Sequence, residues 1–153
     1  MKTASPDFIR QSAELPERCV IILDQALPTG KAANAAAVMA LSMGAQWPEL
    51  KGDNYADASG GVHLGLIPIG IPILTAGQSR LQQLRSQAQE KGFEVVDFPE
   101  QGQQTTSYPD FIEAVNQTAA AELRYVGIVV LGKRNPISRL LKGLPLFGAV
   151  AEQ

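Results

Sequence analysis

The sequence predicts a single three-layer α/β/α domain, in which helices cover both faces of a four-stranded sheet. Three observations support this fold. Short apolar runs alternate with segments of helical spacing, which is typical of layered α/β folds rather than of bundles or sandwiches. The 153 residues suit one hydrophobic core. Hydrophobic residues make up 45% of the chain and charged residues 18%, which fits a globular protein with fewer charges than usual.

The first strand and helix are predicted between residues 18 and 43. Cys19 to Leu23 is a continuous apolar run that ends at Asp24, and such a run is typical of a strand buried on both faces. Thr29 is a suitable N-cap, and the alanine-rich residues up to about Met43 predict a helix that is apolar nearly all round. We therefore expect a central strand followed by a closely packed helix.

The second strand and helix are predicted after a polar loop over residues 44–61, whose length is typical of a functional segment. In the run LIPIGIPIL, residues 66–74, isoleucines alternate with proline and glycine, and the prolines place this strand at an edge of the sheet. Residues 79–91 have a narrow apolar stripe, which predicts an exposed helix that ends at Gly92.

Two more strands and two helices complete the predicted domain. Phe93–Phe98 is the third strand and Tyr125–Leu131 the fourth. Between them, a glutamine-rich loop leads to Ser107, which with Asp110 three residues later predicts the start of a helix. A last short helix follows the fourth strand and ends at Gly143.

Composition excludes several classes of function. The net charge of −2 and the pI of about 5.4 argue against a broad basic face for nucleic acid. Cys19 is the single cysteine, so the sequence offers no disulfide framework and no multi-cysteine metal site. We predict neither a cofactor nor a metal, and the low charge content favours a homodimer.

Residues 1–16 are interpreted as a loosely attached extension of a domain that spans residues 17–153. The extension lacks the apolar core of a signal peptide, and Phe8 and Ile9 are available to dock it. No apolar run in the sequence reaches membrane-spanning length without a proline, glycine or charge, so we expect no membrane segment and a cytoplasmic protein.

The start of the alanine-rich helix is the first candidate site. Thr29 and Gly30 offer unpaired backbone N–H groups at the positive end of the helix dipole, which suits a carboxylate or phosphate. Lys31 and Asn34 lie three residues apart on the same helix face and are candidates to bind an anion and an amide. The alternative is that Lys31 is solvated and Asn34 is a packing residue.

Polar residues after two predicted strands extend the candidate site. Asp24 and Asp97 each follow apolar strand residues, where a carboxylate acts as a general base or orients a lysine, although aspartates there also form turns. Thr105 and Thr106 add hydroxyl groups, but no base is adjacent in sequence to activate them.

Two further features have weaker functional signals. His63 is the only histidine of the sequence, and a single histidine in a loop is more often incidental than catalytic. Residues 133–142 contain four basic side chains, which either bind an anion or solvate the C-terminal region.

Two segments carry a resemblance to a known family. The segment LPTGKAANAAA, together with the closing pattern GKRNPISRLLKGLPLF, resembles the type II peptidyl-tRNA hydrolases. Residues 18–148, with PILTAG, VVDF and ELRYVGIVVLG, more closely resemble a family of small uncharacterised bacterial proteins assigned to the same fold. The resemblance implies a mixed sheet in which the fourth strand is antiparallel to the first.

The resemblance also implies candidate hydrolase residues. Asn34 stands where the hydrolases have glutamine, and Lys31 lies close to their lysine. Asp97 matches their strand-end aspartate, whereas their helix histidine corresponds to Ala37. Thr105 and Thr106 are loose counterparts of a hydrolase threonine.

Two hypotheses of different classes follow. In the first, a hydrolase acts on an ester or amide of a small anionic substrate: Lys31 stabilises charge, Asp97 directs a water, and Thr29, Gly30, Asn34, Thr105 and Thr106 bind the ligand. In the second, the same pocket binds a small anion without chemistry, or the domain is a protein-interaction module.

Overall fold

Residues 14–149, the part of the chain that the computed structural model describes, contain six strands, five α-helices and two short 3-10 helices, Pro48–Leu50 and Ala120–Glu122. The strands are β1 (Arg18–Asp24), β2 (Tyr55–Ala56), β3 (Val62–His63), β4 (Ile73–Ala76), β5 (Glu94–Pro99) and β6 (Tyr125–Gly132). The helices are α1 (Thr29–Gln46), α2 (Gln78–Glu90), α3 (Gln101–Gln104), α4 (Tyr108–Asn116) and α5 (Arg134–Leu140).

The main sheet is mixed and has the strand order β4-β1-β6-β5. β1 pairs with β4 in parallel, whereas β6 runs antiparallel to both β1 and β5. β1, β4 and β5 therefore run in the same direction, and their carboxyl ends lie at the same end of the sheet, beside the start of α1. Arg18 pairs with Gly132, so the basic segment 133–142 follows from the opposite end of the sheet, as the antiparallel fourth strand implies.

Helices cover both faces of this sheet, so the expected layering is confirmed. The buried side chains of α1 form one core with alternate residues of β1 and β6. The buried side chains of α2 and Ile137 of α5 form a second core on the other face. β1 and β6 lie between the two cores, which explains why their sequences are almost continuously apolar.

Two predicted boundaries are wrong. The N-cap of α1 is Pro28 rather than Thr29, because the proline has the extended conformation of a cap and the helix begins directly after it. Of the predicted strand at residues 66–74, only Ile73 and Leu74 belong to β4, which continues to Ala76. Residues 67–72 include two prolines, which lack a backbone N–H for strand pairing.

The predicted edge position of the second strand is correct. β4 pairs with β1 on one side, and residues 145–147 cover part of its other side. Thr75 N–H donates to the carbonyl of Pro145 over 2.9 Å, and Phe147 N–H donates to the carbonyl of Ile73 over 2.8 Å. The chain thus protects this edge with its own C-terminal segment.

Both predicted polar loops contain short regular elements. Residues 44–61 include β2, which forms a hairpin with β3, and the glutamine-rich loop contains α3. The predicted N-cap of α4 is confirmed, since the Ser107 hydroxyl oxygen accepts a hydrogen bond from Asp110 N–H over 3.2 Å. Phe8 and Ile9 lie outside the described residues. Among residues 14–149, no helix is both long and apolar enough to cross a bilayer.

Candidate functional site

A cavity of about 400 Å³ lies between α1 and the segment that runs from β5 to α4. Its apolar lining consists of Val38 and Met39 from α1, Val96 and Phe98 from β5, and Phe111 from α4. Polar groups complete the wall, and they are Asn34, Ser42, Thr105, Thr106, Ser107 and the phenol of Tyr108. A concave apolar surface with a few polar groups is the usual form of a small-molecule site.

Two of these hydroxyl groups already have partners in the protein. Thr105 donates its hydroxyl to the carbonyl of Gln101 over 2.8 Å, and Ser107 caps α4. Both interactions fix the backbone that leads from α3 to α4. The wall of the cavity is therefore held in place by local hydrogen bonds as well as by packing.

The carboxylate of Asp97 is directed away from α1. Val96 and Phe98 pack into the core beneath α1, so strand alternation places the Asp97 side chain on the opposite face. There its Oδ2 accepts a hydrogen bond from Arg85 Nε of α2 over 2.7 Å, and both side chains are about three-quarters buried. The Arg85 guanidinium also lies 5.6 Å from the ring centroid of Tyr125.

This ion pair affects the ionisation of its neighbours. Burial alone would lower the pKa of Arg85, but the hydrogen bond and charge of Asp97 outweigh burial and raise that pKa. Burial also raises the pKa of Tyr125, so its phenol stays protonated near neutral pH. Asp97 is thus a paired structural carboxylate in this geometry.

Lys31 lines a second, smaller cleft of about 210 Å³. Asp24 and Glu100 lie in the same cleft, together with the side chain of Gln78. Gln78 Nε2 donates to Asp24 Oδ2 over 2.9 Å, and Tyr125 N–H donates to Gln78 Oε1 over 2.9 Å. These bonds join the end of β1, the start of α2 and the start of β6.

The N-terminus of α1 is accessible to solvent. Thr29, Gly30 and Lys31 are exposed, and a side chain added at Gly30 would meet no atom within 4 Å. The first turn of the helix contains no acidic residue. The open helix start that the sequence predicts is therefore present, although Thr29 and Gly30 line neither of the two cavities described above.

The segment over residues 92–123, which includes β5 and α4, is rich in acidic residues. Residues 92–123 contain six acidic side chains and neither lysine nor arginine. Asp97 is paired with Arg85. Glu100 forms a solvent-exposed ion pair with Arg124, with 3.4 Å between Glu100 Oε2 and Arg124 Nε. Asp97 is the acidic residue of this segment that lines the large cavity, and its carboxylate is paired with Arg85.

The β2–β3 hairpin gives His63 a defined environment. Its Nε2 lies 2.8 Å from Asp57 Oδ2, and its ring stacks on Tyr55 with 5.2 Å between centroids. The hydrogen bond from His63, followed by those from the N–H groups of Gly61 and Ser59, lowers the pKa of Asp57. All of these groups are exposed, and their contacts stabilise the hairpin itself.

The structure separates several residues that the sequence groups together. Asn34, Thr105 and Thr106 lie around the large cavity, as does the backbone of Asp97, whereas Lys31 belongs to the smaller cleft. Gln78 and Arg85 were not predicted, because each acts through a partner at least 12 residues away in sequence. The alternation in FEVVDF was a usable signal, since it places Asp97 opposite to Val96.

No group of three or more His, Cys, Asp or Glu side chains within residues 14–149 is arranged to hold a metal ion. The polar groups of the large cavity are instead an amide, hydroxyls and backbone groups. Such groups recognise an organic ligand by hydrogen bonds.

Comparisons with other proteins agree with this fold. A solved structure of a protein of unknown function from Agrobacterium is similar to this chain, with a TM-score of 0.77 at 20% sequence identity, over 84% of this chain and 96% of that one. A search of curated proteins gave no match. The family described as "Protein of unknown function (DUF2000)" matches residues 17–147. The chain therefore belongs to the DUF2000 family, a family of unknown function.

Proposed function

We propose that this protein binds a ligand without chemical conversion and receives an apolar group of that ligand in the large cavity. The observation that supports this proposal is the cavity of about 400 Å³, whose apolar floor is bordered by the amide of Asn34 and the hydroxyl of Ser42. This combination anchors an apolar group by burial and orients it by hydrogen bonds. Like the alternative in the sequence analysis, the proposal involves no chemistry, but it replaces the small anion at the start of α1 with an apolar group in the large cavity.

The distribution of ionisable groups supports binding rather than catalysis at this cavity. Lys31 lines a different cleft, and the carboxylate of Asp97 is engaged by Arg85 on the far side of the sheet. A general base needs hydrogen-bond reach to the proton that it removes. With those two side chains apart, the hydrolase mechanism predicted from the sequence has no pair of catalytic groups in the large cavity.

A titration with N-benzylacetamide tests this proposal, because the probe combines an aromatic ring with one neutral amide. We expect saturable shifts in the 1H–15N spectrum at residues 96–98 and 105–107, which line the cavity. Val38→Trp is expected to weaken binding by roughly tenfold or more, because the larger side chain occupies the cavity.

Leu41→Trp is the matched control, since Leu41 is on the same helix, is 78% exposed and does not line the cavity. This control should bind the probe as the unmodified protein does. Absence of saturable shifts, or equal binding by the Val38→Trp variant, would contradict the proposal.

A second candidate function is hydrolysis of an ester or amide of a small anionic substrate. It is supported by the placement of Lys31 and Asp24 in one cleft beside the open start of α1, and by the resemblance to type II peptidyl-tRNA hydrolases. In this mechanism, Lys31 stabilises the developing charge on the carbonyl oxygen, and Asp24 directs a water.

Hydrolysis of 4-nitrophenyl succinate, an anionic ester, tests the second candidate. We expect Lys31→Ala and Asp24→Asn to remove turnover, whereas Val38→Trp keeps it because it alters only the large cavity. Lys31 is exposed, so its substitution should change the free energy of unfolding by less than about 0.5 kcal/mol. Release of nitrophenol at the buffer rate by the unmodified protein would exclude this activity for the probe.

A further inference from the structure

We propose that the open edge of β5 and the adjoining cavity together bind an extended peptide segment of a partner protein, with an apolar side chain in the cavity and basic side chains beside it. This inference rests on the proposed binding function and deepens it by naming the class of ligand. The peptide would add a strand to the sheet, so its backbone would supply affinity and its side chains specificity.

The first observation is that β5 is a terminal strand of the sheet. β6 pairs with one side of β5, and the strand order ends there within residues 14–149. Five of its six residues are exposed or half-buried, whereas seven of the eight residues of β6 are buried. An edge strand directs alternate N–H and C=O groups away from its neighbour, where they can pair with another chain.

The second observation is that the cavity lies directly along this edge. Four consecutive residues of β5, Val96 to Pro99, line it. Consecutive residues of a strand have side chains on opposite faces, so the cavity contacts the strand along its backbone as well as on one face. A peptide strand placed beside β5 would therefore have every second side chain near the cavity.

The two edges of the sheet differ in a way that favours β5. The outer side of β4 is covered by residues 145–147 through the two backbone hydrogen bonds described above. The fold thus already accommodates a short segment added to one edge. Within residues 14–149, β6 is the one strand that pairs with β5, and no other backbone hydrogen bond covers its outer side.

The third observation is the negative charge of the segment that includes β5 and α4, and it indicates a partner segment with positive charge. Residues 92–123, which include β5 and α4, carry six acidic and no basic side chains, and two of the six, Asp97 and Glu100, are paired with Arg85 and Arg124. Asp110 and Glu113 of α4 are exposed in this stretch. A segment with lysine or arginine on either side of its apolar residue complements this surface, whereas an acidic segment is repelled.

The test uses the full chain and the peptide acetyl-Lys-Val-Phe-Val-Lys-amide. Two methylated versions of the peptide remove backbone donors, one at both valine nitrogens and the other at the nitrogens of Phe and the second Lys. Alternate amides of a strand face opposite sides, so only one methylated version should bind more weakly than the parent, by roughly tenfold. A version with glutamate in place of both lysines should also bind more weakly, and more so at low salt.

The outcomes separate this inference from the proposed function. Equal binding by all peptides, or equal loss with both methylated versions, would overturn strand addition. Binding of N-benzylacetamide without binding of the parent peptide would also overturn it, while the proposed function would stand. If neither probe binds, the proposed function itself fails. The Val38→Trp variant should lose the parent peptide, whereas the Leu41→Trp variant should retain it.

Discussion

At the scale of single residues, the contacts of a side chain limit its possible function more than its residue type does. Asp97 has the position of a candidate base in the sequence, but in the structure its carboxylate is paired with Arg85 on the face of the sheet opposite to α1. Lys31 and Asn34 lie three residues apart and yet line different cavities. Their spacing in the sequence did not indicate which cavity each side chain reaches.

Cys19 gives a prediction at this scale, because the residue is only 6% exposed and burial raises the pKa of its thiol to about 11. We expect the native protein to react slowly with Ellman's reagent at pH 8, and rapidly once urea unfolds it, since the thiolate is the reactive form. A native rate equal to that of free cysteine would contradict this burial.

The same pKa shift makes stability depend on pH. An unfolded thiol has a pKa of about 8.5, so the folded state favours the protonated form. The contribution of Cys19 to stability is therefore complete below pH of about 8.5 and is lost progressively as pH rises toward 11.

At the scale of elements, the core strands were predictable and the site-bearing segments were not. β1 and β6 are almost continuously apolar because both faces are covered, and that pattern is visible in the sequence. The alternation of residues 66–74 also resembles a strand, but pairing starts only after Pro72. α3 lies in a polar, glutamine-rich stretch whose composition predicts a loop, and its position depends on packing against α4.

The cap of α4 gives a prediction for an element. Ser107→Ala removes the acceptor for Asp110 N–H, and loss of such a cap costs about 0.5–2 kcal/mol of the free energy of unfolding. Urea denaturation measures this change. Ser86→Ala is the control, because Ser86 is exposed within α2 and alanine there should leave stability unchanged or slightly higher. Equal stability of the two variants would show that the cap contributes nothing.

At the scale of the whole molecule, the fold was predictable from the alternation of strand and helix patterns. The antiparallel fourth strand, which the family resemblance implied, is present as β6. The cavity was not predictable, because its lining residues in α1, 34–42, and in β5–α4, 96–111, are more than 50 residues apart in sequence. The homodimer stays a prediction.

The most direct test of the account is a set of intermolecular NOEs from the ring protons of N-benzylacetamide to methyl groups of the protein. The proposed function predicts NOEs to Val38, Met39 and Val96, which line the large cavity. NOEs to Leu27 in the smaller cleft, with none to those three residues, would place the ligand beside Lys31 and contradict the proposed binding in the large cavity.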